Sequence, residues 1–203
     1  MQKKKNKYYV IWVGQKTGVF TDWNEVKNYI RYPGAKYKSF ESKEEAEMAY
    51  REGPSYEAKP SYLNNLSEIN INSICVDAAC EGNPGKMEYR GVKTMGAEEI
   101  FRMGPFADGT NNVGEFLAIV HALALLYKMQ RYDVVIYTDS NTAKSWVKNK
   151  IPKTKLVRTE ANKPIFELLE RAVKWLQSHD VKNPVIKWDT ERWGEIPADF
   201  GRK

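Results

Sequence analysis

The sequence predicts an α/β protein in which a small β-β-α-β-α domain precedes a mixed sheet with helices on its faces. In the C-terminal two thirds, three strand-like segments precede alternating helical and strand-like segments, a pattern typical of such sheets. Residues 53–69 are rich in Gly, Pro, Ser and Asn without apolar periodicity, which indicates a linker. The length of 203 residues suffices for two domains and leaves little room for a third.

Residues 1–52 form the predicted smaller domain. Asp22 and Ser42 each stand just before a segment with helical spacing, as helix caps do. A domain this small has a thin core and depends on how well its aromatic side chains pack. The predicted elements are strands at 7–13 and 19–20, a helix that begins near Trp23 and ends before Pro33, a strand at 37–40 and a helix at 43–51.

Residues 70–203 form the predicted larger domain. A strong turn at 82–85 follows its first strand, and Asn112 is predicted to cap a long apolar helix. Five strands interspersed with helices predict a mixed five-stranded sheet flanked by helices. The predicted elements are strands at 71–79, 88–95, 98–103, 134–137 and 185–188, and helices at 113–128, 140–148 and 163–179.

The composition excludes several classes of protein. Hydrophobic residues make up 42% of the chain, close to the globular norm, so wholesale disorder is excluded. No apolar run approaches the roughly 18–20 residues that a membrane helix needs. The basic start leads into an aromatic run without a small-residue cleavage site, unlike a signal peptide. Two cysteines, Cys75 and Cys80, are too few for a disulfide framework or a zinc site, so we expect a soluble, cytoplasmic protein.

Positive charge is concentrated near the N-terminus. Residues 1–38 carry nine Lys and Arg against two acids, a balance of +7, whereas the whole chain carries +6. A basic segment on a nearly neutral body suggests an anionic partner, most simply the phosphates of nucleic acid. The alternative is a solvated lysine-rich surface that only aids solubility.

Three acids stand at positions that a globular domain does not normally give to charge. Asp77 lies within an apolar strand, Glu115 opens the long apolar helix, and Asp139 follows the buried strand at 134–137. Buried charges need partners, and no Lys or Arg lies close in sequence, although the fold could supply one. Mg²⁺ takes oxygen ligands, and two ions about 3.5–4 Å apart can clamp a phosphoryl group during its transfer. Taken singly, Asp139 could be an N-cap and Glu115 a favourable charge at a helix N-terminus.

Four segments of the second domain contain these acids or lie near the chain's end. They are Val76–Gly85 (VDAACEGNPG), Thr110–Glu115 (TNNVGE), Tyr137–Ser140 (YTDS) and Ala198–Arg202 (ADFGR). In order and spacing they resemble type 1 ribonuclease H, and the resemblance covers residues 71–203. Residues 8–40 resemble the N-terminal hybrid-binding domain that many such enzymes carry. The two resemblances together cover nearly the entire chain.

The resemblance implies an enzyme that hydrolyses the RNA strand of an RNA–DNA hybrid and leaves 5′-phosphate and 3′-hydroxyl ends. It also implies two Mg²⁺ ions per site, with Mn²⁺ as a substitute. Asp77 would bridge both ions, and Glu115 and Asp139 would help hold the ion nearer the leaving group. Asp199 would help hold the ion that carries the attacking water. Glu195, predicted to share a face of a terminal helix with Asp199, would assist ion exchange or product release, or be a plain surface residue.

The resemblance implies substrate contacts in both domains. Contacts to 2′-hydroxyl groups, which DNA lacks, would come from Gly82, Asn83, Asn111 and Asn141. The DNA strand would be held by a phosphate pocket that includes Thr110, Asn112 and Thr154, and flanked by Trp146 and Thr190. Trp146 could equally be a core residue, and His121 and His179 are expected to be structural. In the first domain the matching contacts are Tyr9, Trp23 and Lys38, with a core role as the alternative for Trp23.

Two other functions agree with parts of the pattern. A non-catalytic protein that binds RNA–DNA hybrid or double-stranded RNA would fit the small first domain, which also resembles a ribosomal-protein domain. Such a binder would not need a complete set of metal ligands. An enzyme that joins DNA strands would share the fold but would not need asparagines that read 2′-hydroxyl groups. We therefore expect a ribonuclease that binds RNA–DNA hybrid as a monomer, with no membrane and no protein partner.

Overall fold

The computed structural model describes residues 7–31, 34–54 and 66–201. The chain divides into two compact units, Met1–Lys59 and Pro60–Lys203. Residues 55–65 of the predicted linker, the opening lysines, Pro33 and Arg202 lie outside the described residues. The predicted domain limits, 1–52 and 70–203, stay predictions.

The first unit has the predicted β-β-α-β-α order. Its three strands form an antiparallel sheet in the order β2-β1-β3. The side chain of Asp22 accepts a hydrogen bond from the Asn24 amide at the start of the first helix, and Ser42 accepts one from the Glu45 amide at the start of the second, so both predicted caps are present. The elements are β1 (Tyr8–Val13), β2 (Gly18–Phe20), α1 (Trp23–Tyr29), β3 (Lys36–Phe40) and α2 (Lys43–Glu52).

Each face of this small sheet packs on one helix. Successive side chains of a strand point to opposite faces, so Val10 and Ile11 of the central strand serve different clusters. Ile11 packs with Phe20 and with Val26 of α1. Val10 packs with Phe40 and with two alanines of α2, Ala46 and Ala49.

The second unit contains the predicted mixed five-stranded sheet. The strand order is β6-β5-β4-β7-β8, in which β4, β5 and β6 pair antiparallel and β7 and β8 run parallel to β4. The central strand, β4, therefore has one antiparallel and one parallel neighbour. The elements are β4 (Ser73–Gly82), β5 (Gly85–Lys93), β6 (Glu99–Gly109), α3 (Asn111–Lys128), β7 (Val135–Thr138), α4 (Asn141–Asn149), α5 (Lys163–Ser178), β8 (Val185–Lys187) and α6 (Thr190–Trp193).

Both faces of the larger sheet are covered by apolar side chains. One face packs against α3, whose residues are buried on nearly every side, and against α4 and α5. On the other face, Trp188, Trp193 and Tyr137 pack with Cys75. Within the described parts of the chain, no helix is both long and apolar enough to span a membrane.

The long helix α3 begins earlier than predicted. Thr110 has extended backbone angles (φ −133°, ψ 152°) and is the N-cap residue, whereas Asn112 was predicted to be the cap. The carbonyl of Thr110 accepts from the amides of Val113 and Gly114. Asn111 and Asn112 therefore belong to the first turn, where their exposed side chains face solvent.

The predicted terminal helix that would place Glu195 and Asp199 on one face is wrong. The last helix, α6, ends at Trp193, and Gly194 follows with a φ of 77°, a conformation that favours glycine and ends helices. Pro197 comes three residues later and lacks the amide proton that a helix would need. Residues 194–201 form no helix or strand.

Candidate active site

Parallel pairing of the central strands brings two of the predicted acids together. In the β4–β7 pair, Val76 lies opposite Thr138. Asp77 follows Val76 in the sequence, and Asp139 follows Thr138. Both aspartates therefore stand at the same edge of the sheet. This edge is where β7 ends and where ligands bind in many open α/β sheets.

A glycine allows α3 to bring the third acid to this edge. A Cβ atom at Gly114 would come within 2.7 Å of the Ala78 Cβ, closer than packed Cβ atoms come, and within 3.2 Å of the Met87 Cγ, a tight contact. The helix thus lies against β4 because residue 114 has no side chain. Glu115, the next residue, is placed beside Asp77.

The three carboxylates form one compact group. A carboxylate oxygen from each of Asp77, Glu115 and Asp139 lies within 4.8 Å of the other two. Asp77 is 6% exposed and Glu115 only 2%. One oxygen of Glu115, Oε1, accepts a hydrogen bond of 3.4 Å from Asn111 Nδ2. The other, Oε2, is buried and has no hydrogen-bond partner among the described residues.

Burial and mutual repulsion oppose ionisation of the group. Burial, with added repulsion from Asp139 and Asp199, raises the pKa of Asp77 to about 7. Burial and the charges of Asp77 and Asp139 hold the pKa of Glu115 well above its usual range. Burial also raises the pKa of Asp139, although the nearby Lys187 ammonium acts in the opposite direction. When all three acids are charged, their mutual repulsion and their burial therefore destabilise the group.

This donor set fits a hard divalent cation. The group offers only oxygen ligands, which Mg²⁺ and Mn²⁺ favour, and the unpartnered Oε2 of Glu115 leaves a buried acceptor to be satisfied. A bound cation would also offset the repulsion that raises the pKa values of Asp77 and Glu115.

The group opens into a cleft of about 440 Å³ that Asp199 also lines. Asp199 lies outside the tight group of three, but its charge reaches both Asp77 and Asp139. Its Oδ2 accepts a hydrogen bond of 2.8 Å from the Gly201 amide. Glu195 is exposed, and its charge contributes to the raised pKa of Asp139, so it lies near the group without a shared helix.

Comparison with known proteins agrees with this geometry. A family model described as RNase H matches residues 70–188, more than half of the chain. The chain belongs to the ribonuclease H family. A second model, described as the ribonuclease H1 N-terminal domain, matches residues 7–50. The protein is therefore a ribonuclease H with a divalent-metal requirement, and the predicted resemblance is confirmed in both units.

Individual relatives show how far the similarity extends. Ribonuclease H of Bradyrhizobium sp. (strain ORS 278) is 30% identical over 143 residues, which cover 66% of this chain and 92% of the relative. Ribonuclease H of Ehrlichia chaffeensis is 35% identical over 117 residues, 57% of this chain and 77% of the relative. Among solved structures, RNase H1 from Halobacterium salinarum NRC-1 has a TM-score of 0.39 at 19% identity and covers 62% of this chain and 91% of its own. LC11-RNase H1, solved in complex with an RNA/DNA hybrid, has a TM-score of 0.38 at 19% identity and covers 61% and 88%.

The substrate-contact residues predicted for ribonuclease H differ in exposure. Asn111 lines the cleft beside the carboxylates. Thr154 is half-buried, and its hydroxyl accepts from the Leu156 amide. Thr110, although an N-cap residue, makes no side-chain capping bond, so its hydroxyl is not used by the helix. Gly82, Asn83, Asn112 and Asn141 are exposed, and Thr190 is half-buried.

Trp146 lies in the core of the ribonuclease H domain. It is 8% exposed and packs edge-to-face on Phe116 at a centroid distance of 6.1 Å. This position favours the core role that the sequence left open. A contact with the DNA strand stays a prediction and would involve only the small exposed part of the ring.

A pair of substitutions separates the two roles of Trp146. We expect Trp146→Ala to lower the free energy of unfolding by about 3–5 kcal/mol, because it leaves a large cavity in the core. Trp146→Phe should keep most of the stability and leave KM for a hybrid substrate unchanged. Urea unfolding and steady-state kinetics measure both quantities. A raised KM for Trp146→Phe at unchanged stability would instead show a substrate contact.

The three predicted contacts of the first unit do not share one face of its sheet. Tyr9 and Trp23 lie together, with ring centroids 5.1 Å apart, and the exposed ring of Tyr37 lies 6.1 Å beyond. Lys38 pairs with Val10, so its side chain points to the opposite face, where its Nζ lies 5.7 Å from the Phe40 ring centroid. β3 is an edge strand, and Lys38 is exposed on it.

Sequence reasoning missed three residues near the ribonuclease H site. Arg90 lies directly across from Asp77 in the β4–β5 pair. Lys187 at the end of β8 supplies a positive charge near Asp139. Phe200 lines the cleft next to Asp199. The hairpin register could have identified Arg90, because the turn that joins Gly82 to Gly85 fixes every later pair of β4 and β5.

The two histidines stack on aromatic rings, His121 on Phe101 and His179 on Trp175.

Proposed function

We propose that this ribonuclease H is an endonuclease that hydrolyses the RNA strand of RNA–DNA hybrids and leaves 5′-phosphate and 3′-hydroxyl ends. One observation carries the proposal: three carboxylates, of which Asp77 and Glu115 are buried and Asp139 is half-buried, converge at an open cleft from β4, α3 and the end of β7. A protein that only bound nucleic acid would gain nothing from this arrangement, because buried like charges without a partner cost stability.

We assign Asp77, Glu115, Asp139 and Asp199 as the residues that hold two Mg²⁺ ions, with Mn²⁺ as a substitute. When bound, such an ion pair lowers the pKa of a water molecule and stabilises the charge that develops on the leaving oxygen. Asp77 belongs to the compact group of three and lines the cleft together with Asp199, a position that suits a shared ligand. We also assign Glu195, which is exposed, to ion exchange or product release.

Other groups of the protein restrain the carboxylates that are assigned to the metal ions. Asn111 donates to Oε1 of Glu115 and so leaves Oε2 for a cation. The amide of Gly201 donates to Oδ2 of Asp199, which limits rotation of that carboxylate. Lys187 acts on Asp139 and favours its charged form. The two hydrogen bonds orient Glu115 and Asp199 before substrate arrives, and such preorganisation lowers the barrier to reaction.

Selectivity for RNA over DNA is assigned to three asparagines, of which Asn111 lines the cleft. The carboxamides of Asn83, Asn111 and Asn141 both donate and accept hydrogen bonds, as a 2′-hydroxyl group does. Gly82, at the same turn as Asn83, leaves space for close approach of the backbone. The DNA strand is assigned to a phosphate pocket of Thr110, Asn112 and Thr154, with Thr190 beside the strand.

The first unit is proposed to increase affinity for hybrid substrates. Its aromatic group, the half-buried Tyr9 with the exposed Trp23 and Tyr37, offers flat apolar surfaces for sugars or bases. Lys38 and Lys36 on the adjacent edge strand offer charge for phosphates. These two surface types together are typical of proteins that bind nucleic acid.

Side-by-side assays with three labelled duplexes test the proposed function. With Mg²⁺, the full chain should cut the RNA strand of an RNA–DNA hybrid, while duplex DNA and duplex RNA of the same sequence stay intact. Products should carry 5′-phosphate and 3′-hydroxyl ends, and EDTA should abolish cleavage. Tight binding of the hybrid without cleavage in either Mg²⁺ or Mn²⁺ would favour the non-catalytic alternative.

Replacement of Trp23 tests the role of the first unit. We expect Trp23→Ala to raise KM for a long hybrid about 5–20-fold with little change in kcat, because stacking contacts contribute about 1–2 kcal/mol each and the variant leaves the carboxylate site intact. Tyr50→Ala is the matched control, since Tyr50 is also an exposed aromatic residue but belongs to α2. An unchanged KM for Trp23→Ala, with the first unit still folded by circular dichroism, would contradict the assignment.

A further inference from the structure

One arginine ties the segment that carries Asp199 to the central hairpin. The Nε of Arg90 donates to the carbonyl of Ala198 at 2.8 Å, and its Nη2 donates to the carbonyl of Asp199 at 2.6 Å. Two parallel hydrogen bonds from one planar guanidinium fix both distance and orientation. The backbone on which the Asp199 carboxylate stands is therefore bonded directly to β5.

The guanidinium of Arg90 is also held from other sides. Its Cζ lies 4.6 Å from the centroid of the Phe200 ring, and its Nη1 lies 3.7 Å from Oε2 of Glu99. The Cζ of Arg102 lies 5.1 Å from the same centroid, and its Nη2 lies 2.8 Å from Glu99 Oε2. We call Arg90, Glu99, Arg102 and Phe200 the C-terminal clamp. The Arg90 side chain is only 20% exposed, so these contacts are partly shielded from water.

The segment has little regular structure of its own to hold it in place. Residues 194–201 form no helix or strand. The Asp199 amide donates to the Ile196 carbonyl at 2.8 Å, a local turn that does not connect the segment to the sheet. Ile196 and Ala198 are buried in an apolar cluster that includes Cys75 and Val92 of the sheet, and the two bonds from Arg90 add a polar connection to β5 at Asp199 itself.

The hairpin register links this contact to the carboxylate group. Arg90 lies directly opposite Asp77 in the antiparallel pair of β4 and β5, and paired residues of two such strands point to the same face. The strand pair that places Asp77 in the group thus also determines where Asp199 stands. A shift of the segment would move Asp199 relative to Asp77 and Asp139.

We propose that Arg90 is a positioning residue that sets Asp199 at the cleft through the backbone of residues 198–199. The inference rests on the proposed function in assigning Asp199 as a metal-holding residue. The proposed role of Arg90 is exerted through the position of Asp199, whose backbone it contacts. A lysine at this position could keep the charge but could not make the two-pronged contact or stack on Phe200 in the same way.

The test compares Arg90→Met and Arg90→Lys with Lys93→Met in the full chain. Lys93 is the matched control, because it lies on the same strand and loses an exposed ion pair, Lys93–Glu98, away from the cleft. Three quantities are measured: Mn²⁺ affinity by electron paramagnetic resonance, amide hydrogen exchange of residues 194–201, and kcat and KM on a hybrid. For Arg90→Met we expect Mn²⁺ affinity about 10-fold weaker, faster exchange in the segment and kcat lower by about 10- to 100-fold, the range for residues that support metal ligands. KM should change less than about threefold.

The outcomes separate the clamp from the proposed function. If the wild-type chain cleaves no hybrid, the proposed function fails, but Mn²⁺ affinity and amide exchange still decide whether Arg90 positions Asp199. Wild-type affinity and exchange in Arg90→Met would overturn the inference, as would an equal loss in Lys93→Met. Should Arg90→Met not fold, Arg90→Lys decides the question. We expect it to weaken Mn²⁺ binding, speed amide exchange in residues 194–201 and lower kcat, each by less than Arg90→Met would. Wild-type values of all three would overturn the proposal.

Discussion

Replacement of Asp139 with asparagine is expected to reduce hybrid cleavage by at least about 1,000-fold, which corresponds to about 4 kcal/mol of transition-state stabilisation. Asn has the shape of Asp but lacks the charge, so the fold should persist while the carboxylate group loses one of three anionic members. Initial rates on a labelled hybrid in Mg²⁺, at saturating substrate, measure the effect. Binding of the hybrid should change far less, because Asp139 is assigned to the metal ions and not to substrate recognition.

Asp133 provides the control at the other end of the same strand. Asp133 precedes β7, is exposed and pairs with Arg131 at 3.0 Å, whereas Asp139 follows β7 at the cleft. Asp133→Asn should therefore keep cleavage within about twofold of wild type. Undiminished cleavage by Asp139→Asn would contradict the assignment of the site, and an equal loss in both variants would indicate damage to β7 instead of a catalytic role.

In the absence of divalent cations, the free energy of unfolding should fall as the pH rises from 5 to 8. The folded-state pKa of Asp77 is raised from 3.8 to about 7, first by burial and then by the charges of Asp139 and Asp199. Between these two values the folded chain binds more protons than the unfolded chain, so stability is lost with rising pH. Over the pH range from 5 to 8, the upper bound of this loss for Asp77 alone is about 3 kcal/mol, because one pKa unit corresponds to about 1.4 kcal/mol. Denaturant unfolding at a series of pH values in EDTA measures it.

Substitution and metal addition should both remove this loss of stability. Asp77→Asn cannot ionise, so its metal-free form should be more stable than the wild type at pH 8 and show a weaker dependence on pH. Mg²⁺ at pH 8 should stabilise the wild type, by about 2.7 kcal/mol at 100 times its Kd, and stabilise Asp77→Asn much less. A metal-free wild type that becomes more stable between pH 5 and 8 would contradict the prediction. Asp133→Asn should show the wild-type dependence of stability on pH. Arg131 lowers the pKa of Asp133, so Asp133 does not change its charge between pH 5 and 8.

Local sequence patterns predicted most of the fold because the elements have clear periodicity and punctuation. The order of strands and helices in both units follows from alternating and helical spacing of apolar residues, and the caps at Asp22 and Ser42 are present. The convergence of Asp77 and Asp139 was also predictable, since both stand at or beyond the buried part of strands that pair in parallel. Glu115 followed from its place near the start of α3.

The errors and omissions arose where tertiary contacts decide the structure. A spacing of four residues between Glu195 and Asp199 suggested a helix, but Gly194 and Pro197 prevent one. The partner of the C-terminal segment could not be found from nearby residues, because Arg90 is more than 100 positions away from Asp199. The opposite placement of Tyr9 and Lys38 required the register of β1 and β3, which the sequence of neither strand specifies.

The close approach at Gly114 affects both the packing of α3 on β4 and the position of Glu115. A methyl group there would meet Ala78 at 2.7 Å and would act as a wedge between helix and sheet. A larger residue at this position is therefore expected to widen the separation of Glu115 from Asp77. A compensating reduction of bulk at residue 78 or 87 would let the carboxylates approach again, so changes at these positions are expected to be coupled in evolution.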